Sequence, residues 1–210
     1  MDDRQEQALL LEALSDKVLH QLPPAVWKGL FLGTERESIR FEQRHLTLVH
    51  ADAEVPPGQP GSATERFYQQ LQRLNARHGG RLDPYVNATA LVTFEDPPSA
   101  VRMAIELQRA AADVPLRIGV VSGTCTLAFF RAQGRLWCTP LGAQPARAAQ
   151  VAAGAAPGGI VISPETYEPS GLSVRVRSDD RAAVDFRDSE VDLSSLATDA
   201  AIDGVDILLA

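Results

Sequence analysis

The chain has 210 residues, 45% of them apolar and 22% charged, a balance that suits one folded domain with a short appendage and excludes wholesale disorder. Its formal net charge of −7 argues against nucleic acid or an anionic membrane as partner, since either rewards a basic face. No apolar run approaches the roughly 18 residues of a membrane span, and the acidic start (Met1, Asp2, Asp3, Arg4) is unlike a secretory leader, so the chain is expected to be cytoplasmic.

The first 40 residues read as two helices. Leu10, Leu14 and Val18 fall on one stripe at helical spacing, Pro23 and Pro24 break the pattern, and an apolar helix from Ala25 ends at Gly33. The stripe must be buried, either on the chain's own domain or against a second copy. Residues 1–40 are therefore expected to be a helical transducer or dimerisation segment, with the main domain at 41–210.

From Arg44 the periodicity changes. His45 to Asp52 reads as a buried strand ending in an acid, and a Pro- and Gly-rich loop covers 56–61. A helix over 64–78 places Phe67, Leu71 and Leu74 on one face. Residues 81–86 and 89–94 read as strands around a tight turn at Asn87 and Ala88. A helix over 98–112 turns Val101, Ala104, Ile105 and Ala112 inward, and 116–122 and 124–130 read as a further strand pair. An alanine-rich helix over 142–153 and a strand over 159–163 follow. Strands are expected at 172–177 and 205–209, with an irregular acidic stretch at 178–198 between them. The order βαββαβ plus a hairpin is an α+β, ferredoxin-like arrangement with additions.

Cys125 and Cys138 are the only cysteines. A hairpin turning over 131–134 would set Cys138 opposite Leu127, so two reduced thiols are expected rather than a disulfide. No CxxC pair or His/Cys cluster offers a zinc site.

Five segments in this order resemble the class III adenylyl/guanylyl cyclase catalytic domain. They are the first strand from Leu46 to Asp52, the Arg77-to-Arg81 approach to the second strand, and the LRxGxxxG strand from Leu116 to Gly123. The APGxIxxSxxTY-like ending from Ala155 to Tyr167 and the helical approach from Leu14 to Gly33 complete the set. The resemblance runs from about residue 44 to residue 167. It implies a head-to-tail homodimer with sites between subunits, and a reaction in which a ribose 3′-hydroxyl attacks an α-phosphate. That reaction needs paired carboxylates holding two divalent ions, and cations for the charge gathering on phosphate.

By that resemblance Asp52 matches the first metal-binding aspartate, a vestigial metal ligand or simply a solvated strand-end acid. The second aspartate position is Ala88 and the base-selecting lysine position is Pro84. The Asn and Arg positions of the last site helix are Ala146 and Gln150, while Thr139 matches a base-contacting position. Val55, Pro56 and Pro57 stand where the family has a phosphate-cradling turn, and each proline removes an N–H donor. Lys17 and Lys28 are the only lysines, so none is expected near the base position; Arg147, one turn before position 150, could compensate for the missing arginine. Asp83 is expected on the opposite face of its hairpin from Ala88. His50 reads as a core histidine and His78 as a helix-end residue. Phe129, Phe130, Leu136 and Trp137 could form either an arm docking on a partner or ordinary core.

The sequence thus implies a catalytically inactive cyclase-like domain, a regulatory, dimerisation or partner-binding module of bacterial-type intracellular signalling. No Mg²⁺ or Mn²⁺ cofactor is expected, and input through the N-terminal helices is. A nucleotide or other small-molecule sensor that keeps the cleft, and a weak or partner-complemented cyclase, remain the alternatives.

Overall fold

A computed structural model describes residues 3–54, 60–83, 88–111, 114–170, 173–176, 182–185 and 206–209. The chain opens with α1 (Asp3–Val18) and α2 (Pro24–Leu32), then a 3₁₀ turn (Thr34–Ser38). The body consists of β1 (Arg40–Ala53), α3 (Pro60–His78), β2 (Arg81–Leu82), β3 (Thr89–Phe94), α4 (Pro97–Ala110) and β4 (Leu116–Ala132). It continues through β5 (Arg135–Leu141), α5 (Ala143–Ala153), β6 (Gly159–Ile162), α6 (Pro164–Ser170), β7 (Ser173–Val176), β8 (Ala182–Asp185) and β9 (Asp206–Leu209).

One seven-stranded sheet orders β2-β3-β1-β4-β6-β9, with β5 paired to the far half of β4. The βαββαβ order expected from the sequence is present, and its strands are longer at the centre. Residues 116–122 and 124–130, expected as two strands paired with each other, form a single strand instead. β4 runs antiparallel to β1 along the whole length of β1, from Ala53↔Leu116 to Arg40↔Phe129. Gly123 is no turn, because it stays in the extended ladder opposite Leu46.

Residues 182–185, placed in the irregular stretch, pair with β7. Residue 112 and the outer parts of the strands expected at 81–86, 172–177 and 205–209 lie outside the described residues, as does most of 178–198.

Side-chain alternation assigns the two faces. Val49, Ala51 and Ala53 of β1 join Leu116, Ile118 and Val120 of β4 under α3 and α4, where Phe67, Leu71, Leu74, Val101, Ala104 and Ile105 are buried. Leu46, Leu48 and Val121 point to the opposite face and pack under Ala148 and Val151 of α5. At the far end of the sheet, Leu11, Leu14 and Val18 of α1 pack with Ala128, Phe130 and Leu141 of the β4–β5 hairpin. The buried stripe on α1 is therefore 11-14-18, one residue off the expected 10-14-18, with Leu10 half-buried. Trp27 of α2 donates its indole N–H to the Ser15 carbonyl (3.2 Å), tying the two helices together.

The hairpin turns on two residues, Gln133 (φ 54°) and Gly134 (φ 72°). Two successive left-handed residues form the tight turn whose twist suits a hairpin. This shortens the connection relative to the expected turn over 131–134 and sets Cys138 opposite Phe129 and Pro140 opposite Leu127. The cysteines remain free thiols, Cys125 buried and Cys138 half-buried. Of the hairpin's large apolar side chains, Phe130 is buried and Trp137 stacks on it at 5.7 Å between ring centroids, both beneath the N-terminal helices. Phe129 joins the α5 side, and only Leu136 is well exposed. Phe130 is thus covered in cis and Trp137 partly so, while Leu136 stays exposed.

Candidate functional site

Asp52 is half-buried near the end of β1, on the α5 face with His50. Its cross-strand neighbours are Thr89 on β3 and Arg117 on β4. Arg117 is already engaged: its Nε donates to Glu54 Oε1 (2.6 Å) and its Nη1 to the Ala155 carbonyl (2.7 Å). Burial lowers the pKa of His50, and the nearby Asp52 carboxylate opposes that shift.

Ala88 is placed by backbone geometry. The Ala53 N–H donates to the Ala88 carbonyl at 2.9 Å, so Ala88 lies at the strand end opposite Ala53. The Ala88 methyl group packs with Ala53 against the α3–α4 core, on the face opposite Asp52, so position 88 supplies no second carboxylate. Pro84 and Asn87 lie outside the described residues. Among the described residues no three His, Cys, Asp or Glu side chains gather in a metal-holding group. Glu54 is paired with Arg117, and Asp83 is committed elsewhere. Among the described residues the donor set at Asp52 is a single carboxylate, which does not fit the paired carboxylates of a two-ion centre.

The committed aspartate is where the structure departs furthest from the sequence reading. Asp83 is only 4% exposed. Its Oδ1 accepts a hydrogen bond from Thr139 Oγ1 (2.5 Å), and its Oδ2 meets Lys17 Nζ at 2.8 Å. Lys17 Nζ also donates to the Pro140 carbonyl at 2.8 Å. Burial raises the pKa of Asp83; the Lys17 charge and the hydrogen bonds from Lys17 and Thr139 act against it. No lysine was expected near Thr139, yet one arrives from α1, across 123 residues of chain to Pro140. Its only local signal was a position beside the buried Leu14–Val18 stripe in an otherwise arginine-based chain.

α5 carries the third group. Ala146 and Gln150 are exposed on one side, while Ala148 and Ala152 are buried on the other. Arg147 does not reach the cleft residues; its Nη2 grips the Glu165 carboxylate of α6 at 3.0 and 3.2 Å. The Glu165 pKa is lowered, first by its own backbone N–H, then by the Ser163 hydroxyl and Arg147.

α5 can lie this close because of Gly119. A Cβ there would stand 2.5 Å from the Ala148 carbonyl oxygen and closer still to the Ala152 nitrogen. The three groups stand apart. Among the described residues no hydrogen bond or ion pair joins Asp52, the Thr139–Asp83–Lys17 cluster and the exposed side of α5.

Comparison with solved structures places this architecture. The guanylyl cyclase Cya2 superposes with a TM-score of 0.58 at 20% identity, over 65% of this chain and 83% of that one. The adenylyl cyclase CyaB from P. aeruginosa gives 0.57 at 20% identity, over 65% and 86%. The fold is that of the class III nucleotide cyclase catalytic domain. A non-canonical dimeric guanylyl cyclase domain of the RhoGC fusion protein from the aquatic fungus Blastocladiella emersonii also matches, at 0.57 and 14% identity, over 65% and 90%. No family model matches the sequence, and no curated protein does. At this identity the likeness carries the cyclase fold and leaves the chemistry to the residues. Among the described residues no helix is long and apolar enough to cross a membrane.

Proposed function

We propose that this chain is a catalytically silent cyclase-homology module that works by regulation or partner binding, with a second copy of itself as the first partner to test. The observation that carries the reading is that, among the described residues, no metal-holding group of acids gathers at Asp52, with Ala88 at the position matched to the second aspartate. One carboxylate cannot hold two divalent ions against a triphosphate. The exposed Ala146 and Gln150 support the same reading, since neither side chain supplies a cation for the developing phosphate charge. Loss of a single such contact costs about 10²- to 10³-fold in rate, and the losses need not add.

The test is incubation of the purified chain with ATP or GTP and Mn²⁺, measuring cyclic product beside a thermal-shift assay. The expected result is no cyclic nucleotide. Product that disappears in Asp52→Ala overturns silence, and a nucleotide-induced shift without product replaces the partner-binding reading with a sensor.

A further inference from the structure

The cluster around Asp83 is unusual for what it connects. One partner is the last turn of α1 and the others belong to β5, so the single buried carboxylate ties the N-terminal helix into the body of the domain. We propose that α1 is a latched strap: Lys17 locks it over the Thr139 end of the cleft, and breaking the Lys17–Asp83 pair releases α1 and α2 together while the sheet stays folded.

Three observations carry this. First, the latch is polar and the surrounding contact is apolar, which divides specificity from adhesion. Leu11, Leu14 and Val18 pack on Ala128, Phe130 and Leu141, and those contacts tolerate small shifts. The ammonium instead needs one position, 2.8 Å from both Asp83 Oδ2 and the Pro140 carbonyl.

Second, the two partners differ in exposure. The Lys17 side chain is 24% exposed and that of Asp83 5%. A freed lysine regains water easily, whereas Asp83 would be left as a buried carboxylate with Thr139 as its remaining partner. Removing one member of such a pair costs far more than a surface ion pair is worth.

Third, the strap is a separable layer. α1 and α2 are joined by the Trp27–Ser15 hydrogen bond and share their own apolar cluster with the hairpin, whereas the α3–α4 core lies elsewhere on the sheet. Local opening of such a layer requires less than global unfolding.

The site under the strap is already filled. Thr139 is the position matched to base contact, and its hydroxyl is spent on Asp83, which in turn holds Lys17. A ligand contacting the Thr139 hydroxyl must compete with the Asp83 carboxylate that holds Lys17 of α1. Whatever moves the N-terminal helices therefore alters that competition, with no chemistry needed in the cleft. This rests on the regulatory reading only for its purpose; the latch itself is tested without any nucleotide or product.

The experiment is amide hydrogen exchange on the intact chain, comparing wild type with Lys17→Met, Asp83→Asn and the double variant. Methionine keeps the aliphatic stem and removes the charge, while asparagine can still accept the Thr139 hydrogen bond. Each single variant should speed exchange in α1 and α2 by about tenfold or more, with β1, β4 and α4 unchanged. The double variant should open no further than the faster single one. Wild-type exchange in α1 of both single variants would overturn the latch, as would uniform acceleration of every element or additive effects in the double variant.

Discussion

Gly119→Ala offers a sharp probe of how α5 is seated. The added Cβ would lie 2.5 Å from the Ala148 carbonyl oxygen, and both close neighbours are backbone atoms of a helix. Neither can rotate away, so α5 itself must shift. Its buried Ala148 and Ala152 would then part from the sheet. Overpacking of this kind typically costs about 1–3 kcal/mol. Alanine also stiffens the unfolded chain, a gain of about 0.4–1 kcal/mol, which is too small to cancel the clash.

Gly123→Ala on the same strand is the control. The three atoms nearest its Cβ would all belong to the Gln144 amide, Nε2 first and Cδ at 2.7 Å, and a flexible amide can turn aside. Urea denaturation should therefore show Gly119→Ala losing about 1–2 kcal/mol or more, with Gly123→Ala within about 0.5 kcal/mol of wild type because the two terms offset. Equal effects at the two glycines would refute the claim that helix backbone limits residue 119.

Two further outcomes follow from burial and charge. Leu14→Ala, at a fully buried position under the hairpin, should cost about 2–4 kcal/mol in the same assay; a loss below about 1 kcal/mol would mean that α1 is not seated on Phe130 and Leu141. His50 has a folded pKa below its ordinary 6.5, because burial disfavours its charged form. The folded state then binds fewer protons than the unfolded chain, so this contribution is intact above pH 6.5 and is lost as pH falls through the folded value. Stability measured from pH 7.5 to 5 should fall more steeply in wild type than in His50→Gln, and parallel curves would contradict this.

The sequence revealed most where local patterns and fold agree. Helical spacing located Phe67, Leu71 and Leu74, and the LRxGxxxG segment located the central strand, whose Gly119 permits the close approach of α5. It misled where one residue of register mattered. The two-residue turn at Gln133 and Gly134 moved Cys138 from Leu127 to Phe129, and the α1 stripe begins at Leu11 rather than Leu10. The division of β4 into two strands failed because a strand glycine signals close packing as readily as a turn.

The uncharged Ala88, Ala146 and Gln150 were assigned to site positions by resemblance alone, and the proposal of a silent site rests on that assignment. The Lys17–Asp83–Thr139 cluster was not legible, because it joins residues 66 and 56 positions apart in the chain through tertiary packing alone. Arg147 shows the same limit: its helical position suggested the cleft, and its partner proved to be Glu165.

The most direct test of the proposal that no two-ion centre forms is a crystal of this protein soaked with Mn²⁺ and a non-reactive nucleoside triphosphate analogue, with anomalous difference density read at Asp52. The account predicts no pair of manganese peaks there. Two peaks about 3.5–4 Å apart, bridged by the Asp52 carboxylate and triphosphate oxygens, would contradict it.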